Sequence, residues 1–172
     1  MKQKYLPHKD LPDHYQFIIF RTHDSIDKFV KKLTQQNMPN KKQQMAIDNY
    51  LDQPTNGAYL NGEILELLSD YLKMKNGVSY ELYCFSIMPN HVHLLIKPLQ
   101  KLATVMQQIK GGSAKIINEK LGRSGKFWAR DYYDKLIRDE KHFDVVYHYI
   151  KNNPTVLNEA KASSPRFYSI HD

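Results

Sequence analysis

Between Cys84 and Pro98 the chain reads CFSIMPNHVHLLIKP, with two histidines, His91 and His93, one residue apart after a Pro-Asn pair. If the surrounding apolar residues form a strand, side chains alternate. Both imidazoles then emerge on one face with Cα atoms about 7 Å apart, while Val92 and Leu94 emerge on the other. Two imidazoles at that spacing can converge on one cation, or they can be a hydrogen-bonded pair on the polar face of a sheet. A cation needs further ligands, and no sequence-adjacent Cys, Asp or Glu supplies them. The segment YHYIKNNP offers one. Tyr149 and Asn153 stand four residues apart and share a helical face, and an Asn carbonyl oxygen can ligate a hard cation. Pro154 disfavours helical backbone at the residue before it, which places Asn153 where the helix ends. Read singly, Asn153 is a C-terminal cap and Tyr149 an aromatic at the edge of a core.

Several elements must position these groups. HYQFIIFRT (residues 14–22) is rich in aromatic and β-branched residues and reads as a strand. Ser25 or Asp27 opens a helix through about Leu33, and Pro39 opens a second polar helix through about Leu51. NGEILELLSDYLKMKNG is an amphipathic helix with Asn61 as its cap and Asn76-Gly77 as its stop. SYELYCFSIM and HVHLLIKP pair through Pro89-Asn90 as a hairpin. A helix from about Leu99 to Leu121 follows, interrupted at Gly111-Gly112, where two glycines cost roughly 2 kcal/mol of helix propensity. YYDKLIRD reads as a short strand, and Asp139 caps a last helix that docks through Phe143, Val146 and Ile150 and ends at Pro154.

Without the two polar helices the order is β-α-β-β-α-β plus one more helix. The expected fold is therefore α+β: a ferredoxin-like antiparallel sheet with helices on one face and a C-terminal helix carrying the tyrosine. The chain's 172 residues suit one domain, residues 1–172, with a helical insertion at 25–57.

Composition narrows the partners. The chain has 25 Lys and Arg against 18 Asp and Glu, a net charge of +7 and a pI near 9.3. From Lys97 to Arg130 eight basic residues face the lone acid Glu119, beside Phe127 and the only tryptophan, Trp128. Clustered cations attract phosphate and planar rings stack unpaired bases, so nucleic acid is the expected partner; the alternative is a solvated basic face over a buried aromatic pair. The candidate contacts are Lys110, Lys115, Arg123, Lys126 and Arg130, with Phe127 or Trp128 stacking. Cys84, the single cysteine, excludes an internal disulfide and reads as buried filler. No apolar run is long enough to span a membrane and the N-terminus lacks a secretory signal, so a cytoplasmic location is expected.

Three segments in order, MPNHVHLLI, LGRSGKFWARDYYDKLIRDEKHF and YHYIKNNP, make the chain resemble the single-tyrosine HUH transposases, above all the REP-associated tyrosine transposases. The resemblance spans residues 80–157, with a plausible first strand at HYQFIIFRTHDS and no counterpart for the insertion at 25–57. It implies a metal-dependent enzyme that cuts and rejoins single-stranded DNA beside a hairpin, as a monomer or a homodimer. It implies Tyr149 as nucleophile and His91, His93 and Asn153 as ligands of a divalent ion, Mg²⁺ or Mn²⁺, with Asn152 the lesser choice for the third ligand. Tyr147, about 200° from Tyr149 around a helix, cannot share the Asn153 face. Two readings from other classes compete: a non-catalytic module for single-stranded nucleic acid, and a metal-dependent phosphodiesterase in which water attacks.

Overall fold

Strand β1 (Gln16–Arg21) lies inside the predicted first strand and becomes the second strand of a five-stranded sheet. The computed structural model describes residues 11, 13–25, 31–33, 35–36, 39–51, 56–157 and 166–171. Within them the chain continues through α1 (Asn40–Leu51), α2 (Gly62–Met74), β2 (Tyr80–Ile87), β3 (His91–Pro98) and α3 (Leu102–Leu121). It then forms β4 (Tyr133–Leu136), α4 (Glu140–Asn152), a 3-10 turn (Asn153–Leu157) and β5 (Phe167–Ser169). The strand order is β4-β1-β3-β2-β5, antiparallel throughout. Removing α1 and β5 leaves the ferredoxin-like order expected from the sequence. Among the described residues no helix is long and apolar enough to cross a membrane.

Each face of the sheet is apolar in its own way. Ile18 and Phe20 of β1, Val92, Leu94 and Ile96 of β3, and Leu82, Phe85 and Ile87 of β2 form the main core with α2 and α3. Phe17, Ile19, Cys84 and Leu95 face the opposite side and meet Val146 and Ile150 of α4. A bulge in β2, where Leu82 pairs with Ile96 but Cys84 with Leu95, keeps Leu82 and Phe85 on one face despite their odd spacing. The helices follow the same economy. α2 buries Ile64, Leu65, Leu68 and Leu72 along one stripe. At the start of α4 the Asp139 side chain accepts from the His142 N–H at 2.7 Å, the predicted cap.

Several expectations are corrected. α3 runs unbroken through Gly111-Gly112, because its buried stripe of Leu102, Val105, Met106, Ile109 and Ile117 outweighs two poor helix formers. Gly112 is small because Tyr71 of α2 crosses there: a Cβ would overlap the tyrosine hydroxyl, which donates to the Gln108 carbonyl at 2.9 Å. Asn61 stands at the N-cap of α2 but makes no side-chain cap bond. Its side-chain oxygen Oδ1 instead accepts from Arg166 at 2.6 Å. Arg166 is buried and also donates to the carbonyls of Leu60 and Ile87 at 2.9 and 3.0 Å, which ties the C-terminal strand β5 to the edge of β2. Ser25 closes a 3-10 turn (His23–Ser25) by donating to the Thr22 carbonyl. Residues 26–30, Asp27 among them, lie outside the described residues.

The two glycines of α3 differ in what surrounds them, since nothing lies within 4 Å of a Cβ built at Gly111. In urea unfolding, Gly111→Ala is expected to stabilise the protein by up to about 1 kcal/mol through helix propensity. Gly112→Ala, which must displace Tyr71, is expected to destabilise it by roughly 1–3 kcal/mol.

Candidate active site

The sheet register brings the first chemical groups together. In the β1–β3 pairing Arg21 stands opposite His91 and Ile19 opposite His93, so these four side chains emerge on the α4 side of the sheet. Both histidines are fully buried, and their ring centroids lie 4.9 Å apart. The Asn90 side-chain oxygen stands 2.8 Å from His91 Nδ1, while its amide nitrogen is 3.4 Å from the Asn56 carbonyl. That amide orientation makes His91 Nδ1 the donor and leaves the lone pair on Nε2. His93 stacks on Phe17 at 6.0 Å and 10°. Burial pushes the His93 pKa down to about 3, and burial, then His93 and Arg21, hold His91 well below the usual histidine value. Both rings are therefore neutral, the form that can coordinate a cation.

α4 brings the rest. Its apolar residues Val146 and Ile150 seat it on the sheet, and Tyr149 projects beside them, 41% exposed. The Tyr149 ring meets His93 edge-on at 5.4 Å and Phe17 at 5.9 Å. Asn153 keeps helical backbone (φ −56, ψ −45), because the chain carries on past Pro154 as a 3-10 turn in which the proline's missing N–H costs nothing. The α-helix ends at Asn152 with Asn153 as its C-terminal cap, where the sequence places the stop, and the Asn153 side chain lies buried with its amide nitrogen 3.1 Å from His93 Nε2. His91, His93, Tyr149 and Asn153 thus meet, whereas Asn152 is exposed and its carbonyl accepts from Thr155. Tyr147 points elsewhere, against Tyr83 and Phe167.

The donor set suits a divalent ion. Among the described residues no three His, Cys, Asp or Glu side chains gather closely enough to hold a metal, so a cation here would have to rest on two imidazoles and an amide. His93 Nδ1 and Asn153 Oδ1 are buried without a hydrogen-bond partner among the described residues, and turning the amide over would place its oxygen beside His93 Nε2. Two neutral nitrogens and an amide oxygen form a mixed N/O set.

Two further residues belong here that sequence reasoning did not single out. Tyr149 Oη donates to Asp48 Oδ2 at 2.6 Å, and Gln44 Nε2 donates to Asp48 Oδ1 at 2.7 Å. Asp48 belongs to α1, inside the segment read as an insertion, and is 4% exposed. Burial raises its pKa to about 6, against the bonds from Tyr149 and Gln44 and the charge of Arg21. Its only mark in the sequence is a carboxylate next to the apolar Ile47 on an otherwise polar helix. Arg21 is the other; burial lowers its pKa while Asp131 and Asp48 oppose the shift, and its Nε has no partner among the described residues.

The expected DNA contacts divide. Lys115, Lys126 and Arg130 are exposed. Lys110 is half-buried, donates to the Arg130 carbonyl at 2.8 Å and lies over the Tyr132 ring. Arg123 pairs with Asp24 at 3.4 Å and lies over Tyr59. Phe127 and Trp128 are core residues, and the Trp128 indole donates to Ser113 Oγ at 2.9 Å. Their rings are spent on packing, so the expectation that they stack on bases is corrected.

Asp48 has a pH signature. Its pKa is raised from 3.8 to about 6 on folding, so the unfolded chain releases the proton first and stability falls as pH rises across that window, then levels off. Asp48→Asn lacks this titration, while the histidines titrate in both proteins. The stability of Asp48→Asn relative to wild type, by urea unfolding, is expected to rise by roughly 2–3 kcal/mol between about pH 4 and pH 7.

Comparison with known proteins shows what the chain is similar to. An uncharacterized protein of Haemophilus influenzae (strain ATCC 51907 / DSM 11121 / KW20 / Rd) is 36% identical over 99 residues, covering 44% of this chain and 54% of that protein. The match therefore spans about half the length of this curated relative. The structure of a REP-associated tyrosine transposase bound to a REP hairpin superposes with a TM-score of 0.54 at 14% identity, covering 91% of this chain and 76% of that one, and shows a shared fold. A family model described as "Transposase IS200 like" matches residues 55–153, which run from the loop before α2 through both histidines and Tyr149 to Asn153. The chain belongs to the IS200-like transposase family.

Proposed function

We propose that this chain cuts and rejoins single-stranded DNA beside a hairpin, with Tyr149 as the nucleophile. The observation that carries the reading is the meeting of Tyr149, His93, His91 and Asn153, from β3 and the two ends of one helical turn, on a single face of the sheet. A divalent ion held by His91, His93 and Asn153 would draw charge from the scissile phosphate and make its phosphorus more electrophilic, with Mn²⁺ or Mg²⁺ suiting the mixed donors.

The chain's own residues supply the remainder. Asn90 and Phe17 fix the two imidazoles before substrate arrives, so neither ring has to be turned on binding. The exposed phenol of Tyr149 is held above them by its ring contacts with His93 and Phe17. Attack by its Oη on the phosphorus would break the bond to the 3′-oxygen and leave a 5′-phosphotyrosine and a 3′-hydroxyl. Because that ester retains the phosphodiester energy, a second 3′-hydroxyl can reverse the step without a nucleotide cofactor. The quartet lies within one chain, which is compatible with a monomer. Lys115, Lys126 and Arg130 supply exposed positive charge for the DNA backbone. The hairpin in the structural relative supports a hairpin ligand here, and a cytoplasmic location fits a DNA substrate.

Incubation of a labelled hairpin DNA carrying single-stranded flanks with the protein and Mn²⁺, followed by a denaturing gel, tests the reading. A covalent protein–DNA adduct is expected, lost in Tyr149→Phe and on chelation of the metal. His93→Ala is expected to slow its formation by at least about tenfold through weakened metal binding. Cleavage that persists in Tyr149→Phe would mean that water attacks. In a separate binding titration, replacing Lys115, Lys126 and Arg130 together by Ala should flatten the plot of log affinity against log salt by about 2, if each neutralises one phosphate of a single strand.

A further inference from the structure

We propose that Asp48 is the general base of the reaction, taking the phenolic proton of Tyr149 as its oxygen attacks phosphorus, and returning it when the phosphotyrosine is resolved. The inference rests on the reading of Tyr149 as nucleophile. In the forward step the Oη–H bond breaks and its proton passes to Asp48 Oδ2, the new bond joins Oη to phosphorus, and the 3′-oxygen leaves with its electron pair to be protonated by solvent. In the reverse step a 3′-hydroxyl loses its proton to solvent as its oxygen attacks phosphorus, the bond from phosphorus to Oη breaks, and the protonated carboxyl returns the proton to the departing phenolate.

Three observations support it. The first is contact with the reacting atom: Asp48 Oδ2 is 2.6 Å from Tyr149 Oη, within the reach a general base needs. The second is the way the carboxylate is held. Gln44, one turn back on α1, occupies the other oxygen at 2.7 Å and thereby turns Oδ2 toward the phenol. The groups that act electrostatically on this carboxylate are Arg21 of β1, which favours its charged form, Tyr149 of α4, and Tyr133 of β4, whose own ionisation the carboxylate opposes. The third is cost. A carboxylate that is 4% exposed loses most of its hydration, a cost that the bonds from Gln44 and Tyr149 and the charge of Arg21 offset only in part, since its pKa stays raised. Its basicity is raised by that burial, which brings it toward neutral pH, where a base is most effective.

Asp48 also lies outside the stretch that matches the family, residues 55–153, and inside the segment that the sequence could be read only as an insertion. The α1 helix would thus complete the site rather than pad the fold. Ile47, beside Asp48, is buried against Leu33 and anchors the helix from its other side.

The test uses the full chain, Mn²⁺ and a library of DNA hairpins with randomised single-stranded flanks. Asp48→Asn is the informative variant, because the amide oxygen can still accept a hydrogen bond from the phenol but cannot take its proton. Single-turnover adduct formation is expected to slow by about 100-fold or more, with hairpin affinity changed by less than about twofold. Asp48→Glu, which restores a carboxylate, is expected to recover part of the rate. Replacing Tyr149 with 3-fluorotyrosine makes the phenol more acidic and should shrink the gap between wild type and Asp48→Asn. A gap that 3-fluorotyrosine leaves unchanged would assign Asp48 a structural role and overturn the proposal. Wild-type rates in Asp48→Asn would overturn it while leaving the nucleophile in place, whereas a wild-type protein that forms no adduct with the library would overturn the nucleophile and the base together.

Discussion

The pairing of β1 with β3 is the constraint on which the rest of the molecule depends. Side chains on a strand alternate, so a shift of one residue would exchange the two faces. Val92, Leu94 and Ile96 forbid that shift, because they are buried in the main core with Ile18 and Phe20. With those residues committed, His91 and His93 are obliged to emerge on the other side, opposite Arg21 and Ile19. The apolar half of the strand therefore positions the polar half. The same logic acts in β2, where the bulge between Leu82 and Cys84 corrects the parity and keeps Phe85 and Ile87 in the main core.

On that foundation α4 behaves as a ruler. Val146 and Ile150 lie four residues apart and seat the helix against Phe17, Ile19 and Leu95. A helical rise of 1.5 Å per residue and its angular step then leave little freedom for Tyr149 and Asn153. The phenol comes to lie over Phe17 and His93, and the amide beside His93 Nε2. Burial does chemical work here as well. It keeps both imidazoles neutral, whereas in water a histidine titrates near neutrality. The same desolvation raises the pKa of Asp48. One dry environment thus prepares nitrogen donors and a basic carboxylate together, by acting oppositely on a cationic acid and a neutral one.

Two misreadings have a common cause. Gly111-Gly112 suggested a break in α3, and Phe127-Trp128 suggested a platform for bases. Both rest on properties that a residue carries locally, helix propensity in one case and a planar ring in the other. In the fold both are overridden by neighbours distant in sequence. Gly112 makes room for Tyr71, and Trp128 packs on Phe20 and donates to Ser113. Long-range contacts also act at β5, which pairs with the edge of β2 while Arg166 reaches the carbonyls of Leu60 and Ile87.

What the sequence determined by itself is what has a short period. Alternation put His91 and His93 on one face of a strand and Val92 and Leu94 on the other, and the spacing of four put Tyr149 and Asn153 on one side of a helix. The order of strands and helices was legible in the same way, because apolar periodicity and turn residues act over a few positions. Packing between the elements settles which of these faces meet, and what else reaches them. Asp48 stands 101 residues from Tyr149 along the chain, and its bond to the phenol exists because the fold brings α1 to α4. Asn90 looked like half of a turn and is the residue that orients His91. Long-range contacts carry no local period, so a carboxylate on a polar helix reads as solvated until packing brings it to the phenol and strips it of water.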